Sequence, residues 1–445
     1  MSETNEPDET SLLQSIEKRI VGEISDTERF VLIHGAIWFF LVLAGYYILR
    51  PIREQISATY GVENLSEMFW ATFIVMLLAI PLFSALVDKF HRKWLVPSIY
   101  VFFIVTLLLF SAAMRWLPAE KQVWVARVFY VWISVYGLFI VSFFWSVVGD
   151  LLTTEQGRRV FGVIASGGSV GGLVGSLVAG QLVGPLGIAN LILIPAAFLF
   201  VSLLVYISLE RTFQRSLTRA GNDESSQLKS GRATGGNPFA GFVAVLKSKY
   251  LGAICLYGVC MAACGTTVYF QQSEIVEAAF ETQEARTEYF AGVNFSVSIV
   301  TLVFQFVIVG WLMRNIGLGW TLATLPLAYV VGLTALAISP TIGVMAVISV
   351  IGRSAEYGFC NPAREVLFTT VNREDRYKAK SFIDTVVRRG GDSIVGSGNS
   401  WVRELGAAAV ATLSWVIIAT AFFWALLSLF IGKENSRVAA AVGED

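Results

Sequence analysis

The chain has 445 residues, 55% of them hydrophobic and only 15% charged, with a mean hydropathy of +0.65. Soluble domains carry about 25% charged residues, so the composition excludes a soluble globular protein and indicates an integral membrane protein. The 33 Lys and Arg balance the 33 Asp and Glu; a net charge of zero gives no lead to a partner, and nucleic acid is not expected as one.

Residues 1–29 are acidic and lack a basic n-region, so neither a secretory signal nor an Arg-rich transit peptide is expected there. Within them Leu12, Leu13, Ile16, Ile20 and Ile24 recur at helical spacing, the pattern of a short amphipathic helix on the membrane-proximal surface. Twelve apolar spans follow, at about 30–49, 68–87, 94–113, 123–148, 160–183, 188–209, 250–271, 289–313, 320–338, 342–362, 379–401 and 407–431. Each is long enough to cross a bilayer with some tilt. The polar stretch 210–249, rich in Ser, Gly, Asn and basic residues, reads as a linker between two six-helix halves, 30–209 and 250–432, with 433–445 as a tail. The expected fold is therefore all-α: a polytopic membrane protein of twelve transmembrane helices in two pseudo-symmetric halves.

Counting Lys and Arg with the N-terminus inside puts 23 of the 33 on the inner side, 6 in outer loops and 4 within spans. That bias predicts that both termini lie in the cytoplasm. Cys255, Cys260, Cys264 and Cys360 fall inside spans without metal-ligand spacing and read as buried small apolar residues. No cofactor or metal is expected, and the chain is expected to act as a monomer.

The two halves echo each other. SALVDKFHRKW (84–94) has a counterpart 226 residues later in GWLMRNIGLGW (310–320), and the Thr-Thr pair of LLTTEQGRRVFG recurs 216 residues later in LFTTVNREDRYKAK. Repeats of this size are expected of transporters whose halves rock around a central site. The fifth span holds GGSVGGLVGSLVAGQLVGP, in which small residues let helix backbones approach closely.

Ionisable groups at membrane depth cost roughly 2.5–3.5 kcal/mol each on insertion scales, so those that occur there are the leading functional candidates. Arg50, Arg53 and Glu54 close the first span, and Arg127 and Asp150 bracket the fourth. Arg353, Glu356, Arg364 and Glu365 mark the tenth. Along the eleventh, Lys380, Asp384, Arg388 and Asp392 follow at intervals of four, forming one charged stripe, with Arg389 beside it. One reading pairs these charges internally, Arg353 with Glu356 and each stripe member with the next. The other notes that Arg suits bidentate contact with phosphate or carboxylate. Seven cations (Arg53, Arg127, Arg353, Arg364, Lys380, Arg388, Arg389) stand against six anions (Glu54, Asp150, Glu356, Glu365, Asp384, Asp392), a nearly neutral balance. Trp38, Tyr46, Tyr130, Tyr136, Trp145, Tyr269 and Tyr357 offer stacking surfaces for a base or packing surfaces for helices.

Asp88, Lys89, Arg92 and Lys93 approximate the loop pattern G-x-x-x-D-[RK]-x-G-[RK]-[RK] of the major facilitator superfamily; in that superfamily the Asp contacts a neighbouring helix end and stabilises one conformation. ILRPIRE resembles the I-L-R-x-x-K-D that closes the first helix of the ATP/ADP translocases. FWSVVGDLLTTEQGRRVFG is similar to that family's F-W-x-x-x-N-Q-I region, and KAKSFIDTVVRRGGD resembles its K-x-x-I-D-x-x-x-x-R element. The resemblance implies a major facilitator fold and a substrate-binding role at Arg53, with Glu54 as its acidic neighbour. It sets Asp150 where the family has Gln. Arg364, Glu365, Lys380, Asp384 and Arg388 or Arg389 match second-half charges.

The expected function is secondary active transport by alternating access, exchanging nucleotides of the ATP/ADP type or a related phosphorylated anion. The alternative is proton-coupled transport of another anionic solute, with Asp150, Glu356 or Asp384 cycling the proton. No G-x-x-x-x-G-K-[ST] occurs, and an enzyme is not expected. Expected substrate contacts are Arg53, Arg127, Arg353, Arg364, Arg388 and Arg389. Expected gating or coupling groups are Glu54, Asp88, Asp150, Glu356, Glu365, Lys380, Asp384 and Asp392.

Overall fold

The computed structural model describes residues 26–59, 64–152, 154–219, 245, 248–371, 379–380 and 382–442. The expected amphipathic segment at 12–24 and residues 220–244 of the expected linker lie outside them. Among the described residues there is no strand. The principal helices in chain order are α1 (Asp26–Thr59), α2 (Leu65–Lys89), α3 (Arg92–Trp116), α4 (Ala119–Leu151), α5 (Thr154–Leu191), α6 (Leu193–Arg219), α7 (Lys249–Ala279), α8 (Gln283–Val303), α9 (Leu318–Ile338), α10 (Ile342–Ala355), α11 (Arg388–Glu404) and α12 (Ala407–Val442).

Three of them adjoin wide π turns. α8 runs through Phe304–Ile308 into Val309–Asn315. α10 runs through Glu356–Cys360 into Asn361–Leu367, and α11 is entered through Ile383–Val387. Ten helices among the described residues are long and apolar enough to cross a membrane, and these do not include the eighth and eleventh. The eighth begins with the polar run Gln283, Glu284, Arg286, Thr287 and Glu288. The eleventh carries Arg388, Arg389, Asp392, Arg403 and Glu404, too many charges for a lipid-facing span.

Helix boundaries also shift. α1 extends to Thr59, so Arg50, Arg53 and Glu54 sit inside a continuous helix and not past its end. α6 reaches Arg219, so the first residues of the expected linker are helical.

Apolar burial falls into two large cores. One is built from α1–α6 around Trp38, whose indole N–H donates to Tyr100 Oη at 2.7 Å and whose ring meets Phe144 and Tyr206. The other is built from α7–α12 around Trp424, which packs on Tyr257 and Tyr329. In lipid there is no water to expel between helices, so such contacts act through close packing and dispersion.

The tightest packing is between α1 and α5. A Cβ on Gly167, Gly171 or Gly175 would fall 2.5, 2.3 and 2.3 Å from the carbonyl oxygens of Ala36, Phe40 and Ala44. Both rows step by four residues, so two helix faces meet rung on rung, as small-xxx-small spacing allows. This contact fixes the azimuth of α1 and hence where its charged turn points. Polar contacts between described residues of α1–α6 and α7–α12 lie at mid-depth and toward the end remote from the termini. There Ser57 meets Ser273 at 2.8 Å, and Ser397 takes a hydrogen bond from Trp70 at 2.8 Å.

Gly171→Ala forces the two backbones apart, and the expected loss is about 1–3 kcal/mol, the usual cost of overpacking. Gly184→Ala meets no atom within 4 Å and should leave stability unchanged or raised. Thermal unfolding of the two variants in detergent checks both; equal midpoints would contradict the rung packing.

Candidate functional site

Arg50, Arg53 and Glu54 are spaced i, i+3, i+4 and share one face of α1. That face points into a cavity of about 220 Å³, which Phe69 of α2 and Tyr130 of α4 complete from the first six helices. From the other six come Thr266, Tyr269 and Gln272 of α7, Tyr329 of α9, and Arg353, Glu356 and Tyr357 of α10 with its π turn. Arg388, Arg389 and Asp392 of α11 close it. π turns recur at functional sites because they turn side chains out of the ordinary helical register.

Glu54 is 3% exposed and organises one wall. Its Oε1 pairs with Arg50 Nε at 3.2 Å and with Arg353 Nη2, and its Oε2 accepts from Asn294 Nδ2 at 2.8 Å. One carboxylate thus ties α1 to α8 and α10, and its oxygens are shared among three donors as burial demands. Arg50 also donates to Tyr357 Oη at 3.0 Å and lies against the Tyr47 ring.

The charged stripe does not pair along its own helix. Lys380 Nζ reaches both oxygens of Glu365 at 2.7 Å, Asp384 pairs with Arg364, and Arg388 Nη2 meets Glu356 Oε1 at 2.5 Å. The three pairs form a ladder between α11 with its entering π turn and α10 with its continuation. The Ile383–Val387 π turn sets the residues after it back by roughly a quarter turn relative to an α-helix, so the four-residue alignment of the stripe breaks there. Likewise Arg353 pairs with Glu54 and not with Glu356.

Two cavity arginines make no ion pair within 4 Å among the described residues, although Asp392 shares the wall with Arg389. Arg53 donates from Nε to the Tyr130 carbonyl at 3.3 Å, and its guanidinium lies 4.2 Å from the centre of the Tyr130 ring. Arg389 lines the cavity and a small neighbouring one that it shares with Arg53, Phe73, Tyr130 and Asp392. Asp392, also on the wall, accepts from Thr266 Oγ1 at 2.9 Å. The lining thus holds five arginines (Arg50, Arg53, Arg353, Arg388, Arg389) against three carboxylates (Glu54, Glu356, Asp392). The near-neutral balance of the wider set does not hold where the cavity is.

Of the residues expected at the site, Arg53, Glu54, Arg353, Glu356, Arg388, Arg389 and Asp392 meet in this cavity. Arg127 does not: it donates to Asn64 Oδ1 at 2.7 Å and faces Glu67 at 3.6 Å, near the start of α2. Arg364, Glu365, Lys380 and Asp384 form the far rungs of the ladder, outside the cavity lining. Asp150 faces Arg92 at 3.5 Å, and Glu210 faces the same guanidinium at 3.4 Å, at the end of the first six helices that carries the α2–α3 turn. The side chain of Asp88 lies outside the described residues.

Tyr130, Tyr269 and Tyr357 line the cavity, whereas Trp38 and Tyr136 are buried in the first core. Asn294, Gln272 and Thr266 are polar groups of apolar helices that sequence reading passed over. The signal available was their side-chain chemistry within or beside spans expected to cross the membrane.

A family model described as Major Facilitator Superfamily matches residues 35–373. No curated protein matches the sequence. Among solved structures, the nucleoside transporter NupG aligns with a TM-score of 0.61 at 15% identity, over 92% of this chain and 98% of that one. A bacterial homolog of the human lysosomal transporter Spinster, inward-facing and occupied, gives 0.59 at 14%, over 94% and 98%. A POT family transporter in complex with 5-aminolevulinic acid gives 0.58 at 12%, over 91% and 96%. At these identities the likeness is one of fold. With the family match spanning most of its length, the chain belongs to the major facilitator superfamily and is a membrane transporter.

Proposed function

We propose that this transporter exchanges a small dianionic solute, a nucleotide or a related phosphorylated metabolite, across a bacterial inner membrane with both its termini cytoplasmic. In this reading the halves 30–209 and 250–432, joined by the 210–249 linker, rock about the cavity. The observation that carries the proposal is the excess of two arginines in the lining, together with the absence, among the described residues, of a carboxylate in ion-pair contact with Arg53 or Arg389. A guanidinium fork left without a carboxylate is suited to a phosphoryl or carboxylate group. Arg53 comes from α1 and Arg389 from α11, so an anion held by both bridges the two halves. Tyr130, Tyr269 and Phe69 beside them supply faces on which a base or sugar can rest.

The same imbalance favours exchange over one-way movement. Unpaired charge at bilayer depth is costly. The empty carrier would have to reorient with its excess bare, whereas the loaded one reorients with that excess matched.

A second reading has one observation in its favour. Asp392 lies within the cavity, and its hydrogen bond comes from a neutral hydroxyl, so it is the carboxylate best placed to cycle a proton in a proton-coupled carrier. Proteoliposomes loaded with unlabelled ADP and offered labelled ATP, with and without a pH gradient, separate the two. Uptake that requires internal nucleotide and ignores the gradient supports exchange. Uptake that tracks the gradient without trans-stimulation sinks it.

Arg53→Ala and Arg389→Ala should each raise the apparent KM by about tenfold or more, as expected for loss of a charge-assisted hydrogen bond. The Lys variants should fall in between, keeping charge without the fork. Normal transport by both Ala variants would remove the binding assignment.

Arg364 and Asp384 are paired outside the lining. Arg364→Ala and Asp384→Asn should therefore slow turnover while leaving KM near its original value, and the exchanged pair Arg364→Asp with Asp384→Arg should restore part of the rate. A KM shift in the single variants as large as that of Arg53→Ala would place them at the substrate instead.

A further inference from the structure

Arg286, in the first turns of α8, is 9% exposed and has no carboxylate partner among the described residues. Its guanidinium makes four hydrogen bonds. Nε donates to the Phe280 carbonyl at 3.0 Å and Nη2 to the Glu277 carbonyl at 3.2 Å, both at the C-terminal end of α7. Nη1 donates to the Ala58 carbonyl at 3.0 Å and to Thr59 Oγ1 at 3.1 Å, both at the C-terminal end of α1.

The last carbonyls of a helix have no partner within it, and the helix dipole concentrates negative potential there. One buried cation therefore caps two helix ends at once. Those helices, α1 and α7, open the two halves of the chain. Ala58, Val276 and Phe290, with Phe280, Tyr289 and Ile342, pack into a small apolar cluster around the junction. Water is thus kept from competing for the carbonyls.

We propose that Arg286 is the latch of the gate at the end remote from the termini. Two of its four acceptors belong to α7, on its own side, and two to α1, on the other. Opening that end requires α1 to part from α7. The bonds to Ala58 and Thr59 then break while those to Glu277 and Phe280 hold Arg286 in place for reclosure. The proposal rests on alternating access by a major facilitator and not on the identity of the solute, so its test uses no solute.

Gln272 lines the cavity and serves as reporter. In a background with the four native cysteines replaced, Gln272→Cys is reconstituted in liposomes whose orientation is read from a C-terminal tag. An impermeant thiol reagent is then applied to one side at a time. Arg286→Gln should raise labelling from the remote side about tenfold, the population shift that accompanies loss of a hydrogen bond from a charged donor. Labelling from the terminal side should fall in the same variant. Thr59→Val removes one acceptor and should move both rates in the same directions by less.

If Arg286→Gln does not fold, Thr59→Val decides alone. Unchanged rates in the folded variants overturn the latch. A rise from both sides also overturns it, because that result reports general loosening.

Discussion

Glu54 and the three donors around it fix the middle of the molecule. Arg50 approaches along α1, Arg353 from α10 and Asn294 from α8. None of these groups tolerates burial alone: an isolated ion in a low-dielectric interior carries a desolvation cost of several kcal/mol, and only close partners offset it. The two sets of six helices are therefore held against each other here by electrostatic necessity as well as by shape. The packing of α1 on α5 makes this possible. Because Gly167, Gly171 and Gly175 bring the backbones of α5 and α1 into contact, α1 has little rotational freedom, and this packing aims its charged turn inward independently of the ion pairs.

The α10–α11 ladder solves a related problem in a different way. In its outer rung, Lys380–Glu365, both side chains are more than a third exposed, whereas each of the other two rungs has one mostly buried partner, Arg364 or Glu356. Pairs at the wet end contribute little to stability because water and salt screen them, and they can break at small cost. Pairs further in are screened less. The ladder thus has one labile outer rung and two firmer ones, and beyond its last rung come Arg389 and Asp392. The surplus positive charge sits where the paired charges stop.

Much of this was legible in the chain. Apolar length supplied the helices, and the cost of charge at depth singled out Arg53, Glu54, Arg353, Glu356, Arg388, Arg389 and Asp392. The partners were not legible. Spacing of three or four suggests pairing along a helix, but the Ile383–Val387 π turn breaks that register, and nothing in IDTVV announces a wide turn. Charge tallies taken over the whole membrane domain averaged the cavity with Arg127, Arg364 and Asp150, which lie elsewhere, and left out Arg50. Asn294 and Arg286 were missed for opposite reasons. The first is an uncharged amide in an apolar span; the second sits among Glu277, Glu281, Glu284 and Glu288 and reads as an ordinary loop cation.

The site and the remote junction are mechanically one object because both are built on the same stretch of α1. Glu54 and Arg53 lie about one turn from Ala58, and the Ser57 hydroxyl donates to the Glu54 carbonyl at 2.6 Å while meeting Ser273 at 2.8 Å. A helix end transmits displacement along its axis because its hydrogen-bonded turns are stiff compared with side-chain contacts. In the proposed reading, an anion held by Arg53 and Arg389 would pull α1 toward α11, whereas Arg286 holds the tip of the same helix to α7 and α8. Binding and the proposed gate would then draw on one rigid segment, so that a solute engaging Arg53 would alter the geometry on which the remote contacts depend. Coupling of this kind needs no long chain of intermediaries. It follows from placing an unpaired cation and a capped helix terminus within two turns of each other.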